Sequence, residues 1–183
     1  EVTIDIAAPR FAALLERRRN LTGRTGCGLC GVETVEQAIR PAARAGAGPV
    51  VTRAQLCEAL RQLQELQPLN ARAGSVHAAA WVIPGRGIQL VREDVGRHNA
   101  LDKAIGALLR AQADMGEGFM IITSRASSEM VQKAATAGVT FLAAISAPTA
   151  LAIRLAREGG LTLAGFAREH RHVVYAHGHR LIA

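Results

Sequence analysis

Short apolar runs alternate with helical patterns in the second half of the chain, and this alternation restricts the fold more than any other feature. The runs "FMIIT" (119–123) and "VTFLAAIS" (139–146) contain almost no polar residues, which is typical of strands buried on both faces of a sheet. Each run precedes a helical pattern that serine or proline opens and glycine ends. The pattern predicts an α/β fold with a layered sheet over residues 71–183.

The flanking segments complete this prediction. A β-hairpin is expected from His77 to Asp94, and the last strands are expected at 161–167 and 172–177. Aromatic residues make up only 3% of the 183 residues, so the core must be built from Ala, Val, Leu and Ile. Residues 1–70 are predicted to form an N-terminal helical arm, and the glycine-rich segment 22–31 is predicted to be a mobile loop on it.

Composition excludes some classes of function. No apolar run approaches the roughly 20 residues that cross a bilayer, and the start "EVTIDIAAPR" has no secretory signal pattern. We therefore expect a cytoplasmic protein with no membrane partner. The net charge of +7 favours anionic ligands, but the basic segments lack the interleaved aromatic residues of single-stranded nucleic-acid platforms. Nucleic-acid binding is not expected.

The stretch "RTGCGLCGVE" places Cys27 and Cys30 in a C-x-x-C spacing within the glycine-rich loop. Half of a metal site, a redox dithiol and a sulfur carrier are the three interpretations. A zinc ribbon needs a second pair of ligands, and Cys57 has no cysteine nearby. No spacing supports a mixed site with His77 or His98, so no metal is predicted. A redox dithiol normally begins a helix after a strand, whereas a carrier loop benefits from flexibility. The carrier interpretation is favoured.

Polar turns follow several of the predicted strands. "REDVGRHNALDK" (92–103) includes Arg97 and His98, and "ISAPTA" (145–150) follows a later strand. The turn after residue 123 contributes Ser124, Arg125 and Ser127. Ligands of open α/β sheets bind at the carboxyl ends of strands, where helix N-termini favour phosphate. We expect these turns to line a nucleotide-sized anion site.

The C-terminal tail "GFAREHRHVVYAHGHR" adds a second basic strand end. Phe166 is a candidate stacking ring, and Arg168 and Arg171 are candidate phosphate partners. A metal site built from the tail histidines is not favoured, because the sequence shows no carboxylate or thiol that would complete a ligand shell.

The motifs "TGCGLCG", "VREDVGRHNALDKAIG", "SRASSEMVQKAATAGV" and "SAPTALAIRLARE" together resemble the FdhD family, the sulfur carriers required for formate dehydrogenase activity. The resemblance covers nearly the whole chain. It implies a cytidine deaminase-like layered sheet and a sulfurtransferase that takes sulfur from a cysteine desulfurase as a persulfide. The sulfur would pass to the molybdenum bis-guanine-dinucleotide cofactor before that cofactor enters formate dehydrogenase. The persulfide would form on Cys27, with Cys30 as its partner.

The resemblance also implies a cofactor-binding segment near the C-terminus, for which guanosine diphosphate (GDP) would be a mimic of the ligand. The segment consists of Phe166, Ala167, Arg168, Glu169, His170 and Arg171. Family members carry about 90 further residues before the position of Glu1, the size of a small domain. That segment is expected to be absent here.

Deamination is not expected, because zinc deaminases need H-x-E and P-C-x-x-C motifs. This chain has His98-Asn99-Ala100 and a serine-rich turn at the corresponding places. A non-catalytic chaperone that binds the molybdenum cofactor is the alternative function, and a dithiol oxidoreductase is the third. The expected partners are a cysteine desulfurase and formate dehydrogenase, and a homodimer is left open.

Overall fold

The computed structural model describes residues 3, 5–15, 43–169 and 171–183 of the chain. The chain divides into two units, Glu1–Arg40 and Pro41–Ala183. In the first unit the described helix is α1 (Ala8–Leu15), which begins where Pro9 predicts a helix start. The predicted carrier loop at 22–31, with both of its cysteines, lies outside the described residues.

The second unit contains the sheet and the other described helices. The strands are β1 (Val51–Thr52), β2 (His77–Ile83), β3 (Gly87–Asp94), β4 (Phe119–Ile122), β5 (Phe141–Ala144), β6 (Thr162–Arg168), β7 (Arg171–Ala176) and β8 (Leu181–Ile182). The helices are α2 (Arg53–Glu65), α3 (Pro68–Ala73), α4 (Arg97–Arg110), α5 (Ser128–Thr136) and α6 (Ala150–Gly159).

Six of these strands form one mixed sheet in the order β3-β2-β4-β5-β6-β7. Strands β4, β5 and β6 are parallel, and the hairpin β2–β3 and strand β7 are antiparallel to their neighbours. Strands β1 and β8 form a separate parallel pair. The predicted α/β fold is confirmed at the level of a mixed sheet with helices. Its cytidine deaminase-like arrangement stays a prediction.

Helix α2 belongs to the sheet unit, which differs from the predicted boundary after residue 70. It begins with a capping box, in which the Thr52 hydroxyl accepts from the Gln55 N–H at 3.1 Å and the Gln55 side chain accepts from the Thr52 N–H at 2.9 Å. Its buried residues Leu56, Leu60 and Leu63 share one core cluster with residues of β2, β4, β5 and β6. The apolar stripe of α2 needs a partner, and a face of the sheet supplies it.

Arg180 fastens the end of the chain to this unit. Its buried guanidinium donates to the carbonyl oxygens of Gly46 and Gly160 and to the Thr162 hydroxyl, at 3.0–3.1 Å. Gly160 and Thr162 lie where α6 leads into β6, and Gly46 is more than a hundred residues away in sequence, so one side chain joins that junction to the segment before β1. Burial lowers the pKa of Arg180.

None of the described helices is both long enough and apolar enough to cross a membrane.

Two glycines provide a matched test of the packing. A Cβ built on Gly118 would lie 2.5 Å from the Val82 carbonyl oxygen and 2.6 Å from the Trp81 ring, whereas one on Gly106 in α4 would meet nothing within 4 Å. We expect Gly118→Ala to lower the free energy of unfolding by about 1–3 kcal/mol through overpacking. Gly106→Ala should raise it by about 0.5–1 kcal/mol, because alanine favours a helix. Urea denaturation measures both, and equal effects would contradict this packing.

Candidate functional site

The carboxyl ends of β4, β5 and β6, with the loops that follow them, form what we call the carboxyl edge. The antiparallel pairing of β2 with β4 places the start of β2 at this edge. His77 at that start pairs with Asp94, the last residue of β3. The N-terminus of α4, which follows β3 closely, therefore lies at the same edge, as the strand-end patterns predicted.

Backbone hydrogen bonds connect the loops of the carboxyl edge to one another. Each bond joins an N–H at the end of one strand, or in the loop after it, to a carbonyl oxygen of the neighbouring strand or loop, at 3.0–3.2 Å. The pairs are Thr123 to Ala78, Ile145 to Ile122, Thr149 to Ala126 and Phe166 to Ser146. This series fixes the relative positions of the turns that carry the predicted site residues.

The charge of Asp94 at the start of α4 is satisfied within the protein. Its carboxylate accepts from the Gly96 N–H at 2.9 Å, from the Asn99 amide at 3.1 Å and from the Lys103 ammonium at 2.5 Å. The hydrogen bond from Lys103 and those from Gly96 and Asn99 lower the pKa of Asp94 to about 2. Asp94 therefore orders the turn and is not a free ligand-binding group.

Arg97 and His98 occupy the first turn of α4. His98 is only 8% exposed, and neither of its ring nitrogens has a hydrogen-bond partner. The Nε of Arg97 is also buried without a partner. Burial, followed by the charges of Arg97 and Lys133, lowers the pKa of His98, so the imidazole is neutral at pH 7. A neutral imidazole can donate one hydrogen bond and accept another.

The turn between β4 and α5 contains the predicted Ser124, Arg125 and Ser127. The Ser124 hydroxyl donates to the Arg125 carbonyl oxygen at 3.0 Å, and Arg125 is exposed. Ser127 is the N-cap residue of α5, but its side chain caps no N–H of the helix. The turn therefore leaves the buried Ser127 oxygen without a hydrogen-bond partner.

Glu129 follows in the first turn of α5. The Ser128 hydroxyl donates to its carboxylate at 3.1 Å. Burial opposes the ionised form, but the nearby dipole of the Ser127 hydroxyl, which does not reach hydrogen-bonding geometry, the backbone N–H and the Ser128 hydroxyl outweigh that cost and lower the pKa of Glu129. The side chain is half-exposed and forms no ion pair among the described residues.

The Phe166 segment lies at the other end of the carboxyl edge. Phe166 has a left-handed backbone (φ 49°) at a bulge between β6 and β7, and the residue is 39% exposed. A cavity of about 290 Å³ is lined by Phe166, Arg171, His172 and Val173. Gly165 allows close packing next to it, since a Cβ there would lie 2.7 Å from Pro148 Cδ.

The remaining residues of the Phe166 segment differ in which groups they present to a ligand. Arg168 and Glu169 are exposed, and Arg168 pairs with Arg171 across the turn. Ala167 is fully buried in the core cluster, so it offers a ligand only its backbone. His170 lies outside the described residues.

The predicted residues therefore form two groups on one edge. Arg97 and His98 lie beside β2 and the turn after β4, and the Phe166 segment lies at β6 and β7. Between β2 and β6 the sheet order places three strand spacings, roughly 14 Å. The sequence predicted a single groove, whereas the candidate residues lie in two groups at opposite ends of the carboxyl edge.

Two residues of these groups escaped the sequence analysis. Glu129 follows a serine-rich turn, and a carboxylate is common in the first turn of a helix. Nothing in the sequence indicates that Glu129 on one helix lies near His98 on another. His172 belongs to the tail histidines that were considered for metal binding. The structure places it in the cavity wall, with a buried Nδ1 that has no partner.

Cys27 and Cys30, the predicted thiol site, lie outside the described residues. Cys57 in α2 is half-buried and is the free cysteine of the described part. Within the ranges that the structure describes, no group of three or more His, Cys, Asp or Glu side chains could hold a metal ion.

Comparison with known proteins gives a consistent family. The model of the FdhD/NarQ family matches residues 1–182. A protein of Xanthomonas euvesicatoria pv. vesicatoria named sulfur carrier protein FdhD is 56% identical over 178 residues, which are 97% of this chain and 63% of that protein. A protein of Cupriavidus necator with the same name is 51% identical over 180 residues, which are 98% of this chain and 62% of that protein.

A solved structure is also similar to this fold. It is the crystal structure of a protein assigned as a formate dehydrogenase accessory protein from Desulfotalea psychrophila. The TM-score is 0.72 at 30% identity, and the match covers 77% of this chain and 60% of that one. The chain thus spans somewhat more than three fifths of the length of the curated relatives that it matches.

The buried His98 should make stability depend on pH. The pKa of His98 is lower in the folded state than in the unfolded state. Below about pH 6.5 the unfolded state therefore binds a proton that the folded state does not, and the free energy of unfolding decreases as the pH is lowered. His77 and His172 act in the same direction. Urea unfolding between pH 7 and pH 5 should show a weaker pH dependence for His98→Gln than for the unchanged chain. His179→Gln, at an exposed position, is the matched control, and a slope unaltered by His98→Gln would contradict the assignment.

Proposed function

The chain belongs to the FdhD/NarQ family, and on that premise we propose that it is a sulfur carrier that acts in the formation of active formate dehydrogenase. It would take sulfur from a cysteine desulfurase and pass it to the molybdenum bis-guanine-dinucleotide cofactor, which is its substrate. The sulfur part of the proposal rests on relatives named sulfur carrier protein that match 97% of the chain. The cofactor part rests on the cavity beside Phe166.

The sulfur step uses the thiols of the glycine-rich loop. The Cys27 thiolate attacks the terminal sulfur of a persulfide on the desulfurase, the sulfur–sulfur bond of that persulfide breaks, and the desulfurase thiolate leaves. A Cys27 persulfide forms, with Cys30 as the partner thiol. Thiolate is the reactive form, and the neighbouring Arg24 favours it by charge.

The nucleotide part uses the Phe166 cavity. Its volume of about 290 Å³ is at the lower end for small-molecule sites and suits a base with part of its ribose. The half-exposed Phe166 ring offers a stacking surface, and the exposed Arg168 and Arg171 offer charged hydrogen bonds to phosphate. One guanine nucleotide would therefore lie with its base in the cavity and its phosphates toward the arginines.

The fold would be cytidine deaminase-like without deaminase chemistry. Deaminases hold zinc with a histidine and two cysteines and use a glutamate as the general acid and base. Here Ala100 stands where that glutamate would follow His98, and serines stand in the turn before α5. The chain thus offers neither the thiolates nor that glutamate, and we propose that it has no deaminase activity.

The proposal places the protein in the cytoplasm, where a desulfurase and immature formate dehydrogenase would be its partners, and it leaves a homodimer open. The alternative is a non-catalytic chaperone that binds and shields the molybdenum cofactor. The two functions share the Phe166 cavity and differ in whether Cys27 carries sulfur.

Cys27→Ala should abolish persulfide formation. Incubated with a cysteine desulfurase and cysteine, the unchanged chain should gain about 32 Da, one sulfur atom on a reactive thiolate. Intact-mass spectrometry measures the adduct, and Cys57→Ala is the control that should retain it. An adduct that persists in Cys27→Ala would contradict the assignment, and no adduct on the unchanged chain would favour the chaperone.

Arg171→Ala should weaken GDP binding by about 1.5–3 kcal/mol, or about 10- to 100-fold, if the guanidinium bonds to phosphate. Titration calorimetry should find GDP preferred over adenosine diphosphate, with an affinity that falls as salt rises. Arg86→Ala removes an exposed arginine from the β2–β3 turn and should leave the affinity unchanged. If Arg171→Ala also abolishes the Cys27 adduct, Arg171 supports the fold instead of the ligand.

A further inference from the structure

Buried polar atoms without partners concentrate beside α4 and α5. Six such side-chain atoms occur in the described residues, and four of them belong to Arg97, His98 and Ser127. A buried polar group without a partner lowers the stability of the fold by about 1–3 kcal/mol. Several such groups at one place are therefore better explained by a binding site than by chance packing. The Phe166 cavity does not account for them, since it lies at the far end of the edge.

The charges around His98 separate into paired and unpaired groups. Asp94 pairs with Lys103, and Asp102 of α4 pairs with Lys133 of α5. Arg97 and Glu129 form no ion pair among the described residues, and both are half-exposed, so a ligand can reach them. His98 interacts electrostatically with both of them. The Asp102–Lys133 pair holds α4 beside α5, so the cation and the neutral imidazole in the first turn of α4 lie next to the carboxylate in the first turn of α5.

We propose that Arg97, His98 and Glu129 bind the edge of a 2-amino-4-oxopyrimidine ring, as found in guanine and in pterins. This rests on the proposed function, in which the substrate carries more than one guanine. The ring presents an N–H beside an amino group, which match the two acceptor oxygens of Glu129. Its carbonyl oxygen matches a donor, and arginine commonly donates to the carbonyl oxygen and N7 of guanine.

A phosphate group fits this place poorly. The ionised Glu129 would repel it, and its low pKa keeps the carboxylate charged at pH 7. Adenine fits poorly as well, because it presents an amino group where guanine presents the carbonyl oxygen. The Arg97–Glu129 pair therefore selects a ring with adjacent donors and an acceptor, and phosphates are left to Arg168 and Arg171.

The distance along the edge makes the two sites complementary. Roughly 14 Å separates β2, beside which Arg97 and His98 lie, from β6, which carries Phe166, and one ring cannot touch both groups. A substrate with several such heterocycles can place one ring at Phe166 and another at Glu129. With both sites occupied, the substrate would be held at two positions, which fixes its orientation on the protein.

Glu129→Gln tests the site, because it keeps the size of the side chain and its bond to Ser128 but removes the pair of charged acceptors. The probes are pterin and guanosine, which lack phosphate, measured by fluorescence titration and calorimetry with the whole chain. We expect Glu129→Gln to weaken binding of at least one probe about 10- to 100-fold. Glu158→Gln, at an exposed position of α6, should leave both affinities unchanged. Glu129→Asp should restore part of the lost affinity.

Further comparisons distinguish a pterin from a guanine as the bound ring, and the Glu129 site from the Phe166 site. A loss confined to pterin assigns the site to a pterin, and a loss confined to guanosine assigns it to guanine. The inference is overturned if both pterin and guanosine bind Glu129→Gln as tightly as they bind the unchanged chain, or if inorganic phosphate displaces the probe that Glu129→Gln weakens. Arg171→Ala should spare pterin binding while it weakens GDP binding. If GDP does not bind the unchanged chain at all, the proposed cofactor site is wrong. If GDP binds and Glu129→Gln has no effect on either probe, only the proposed ring site at Glu129 is wrong.

Discussion

Parallel pairing of β4, β5 and β6 is the constraint on which the rest of the structure depends. A parallel strand can be reached only by a crossover, and helices α5 and α6 provide the two crossovers. The loops that leave β4, β5 and β6 must then lie at one edge of the sheet, side by side. The strands between the crossovers are buried on both faces, so their residues are apolar and often as small as Ala143, Ala144 and Ala164.

The carboxyl edge is ordered by backbone and charge together. Hydrogen bonds from one loop to the next fix the turns, and Asp94 and Asp102 are paired with lysines from α4 and α5. These pairs neutralise two carboxylates that would otherwise repel an anionic ligand. Arg97, Arg168, Arg171 and Glu129 remain for binding, and a neutral His98 adds a donor and an acceptor. The net charge of +7 attracts anions from a distance, but only these local groups can distinguish one ligand from another.

Much of the site could be predicted because strand ends are visible in a sequence. An apolar run that stops at a cluster of polar residues marks a carboxyl end, and this rule located Arg97, His98, Ser124 and Ser127 on the edge where the structure places them. The rule could not reveal that Ala167 faces the core, since the bulge after Gly165 interrupts the alternation of the strand. Nor could it connect Glu129 with His98, because contact between two helices depends on packing.

The sequence by itself determined the kind and order of the elements in the sheet unit, because periodicity, capping residues and glycine or proline stops act over a few neighbouring residues. Thr52 with Gln55, Pro148 and Gly160 are such signals. Only the tertiary structure decided that α2 belongs to the sheet and that the predicted groove has two ends. Both follow from pairing and packing between segments far apart in the chain, where strand order and buried area, and not local preference, set which residues meet.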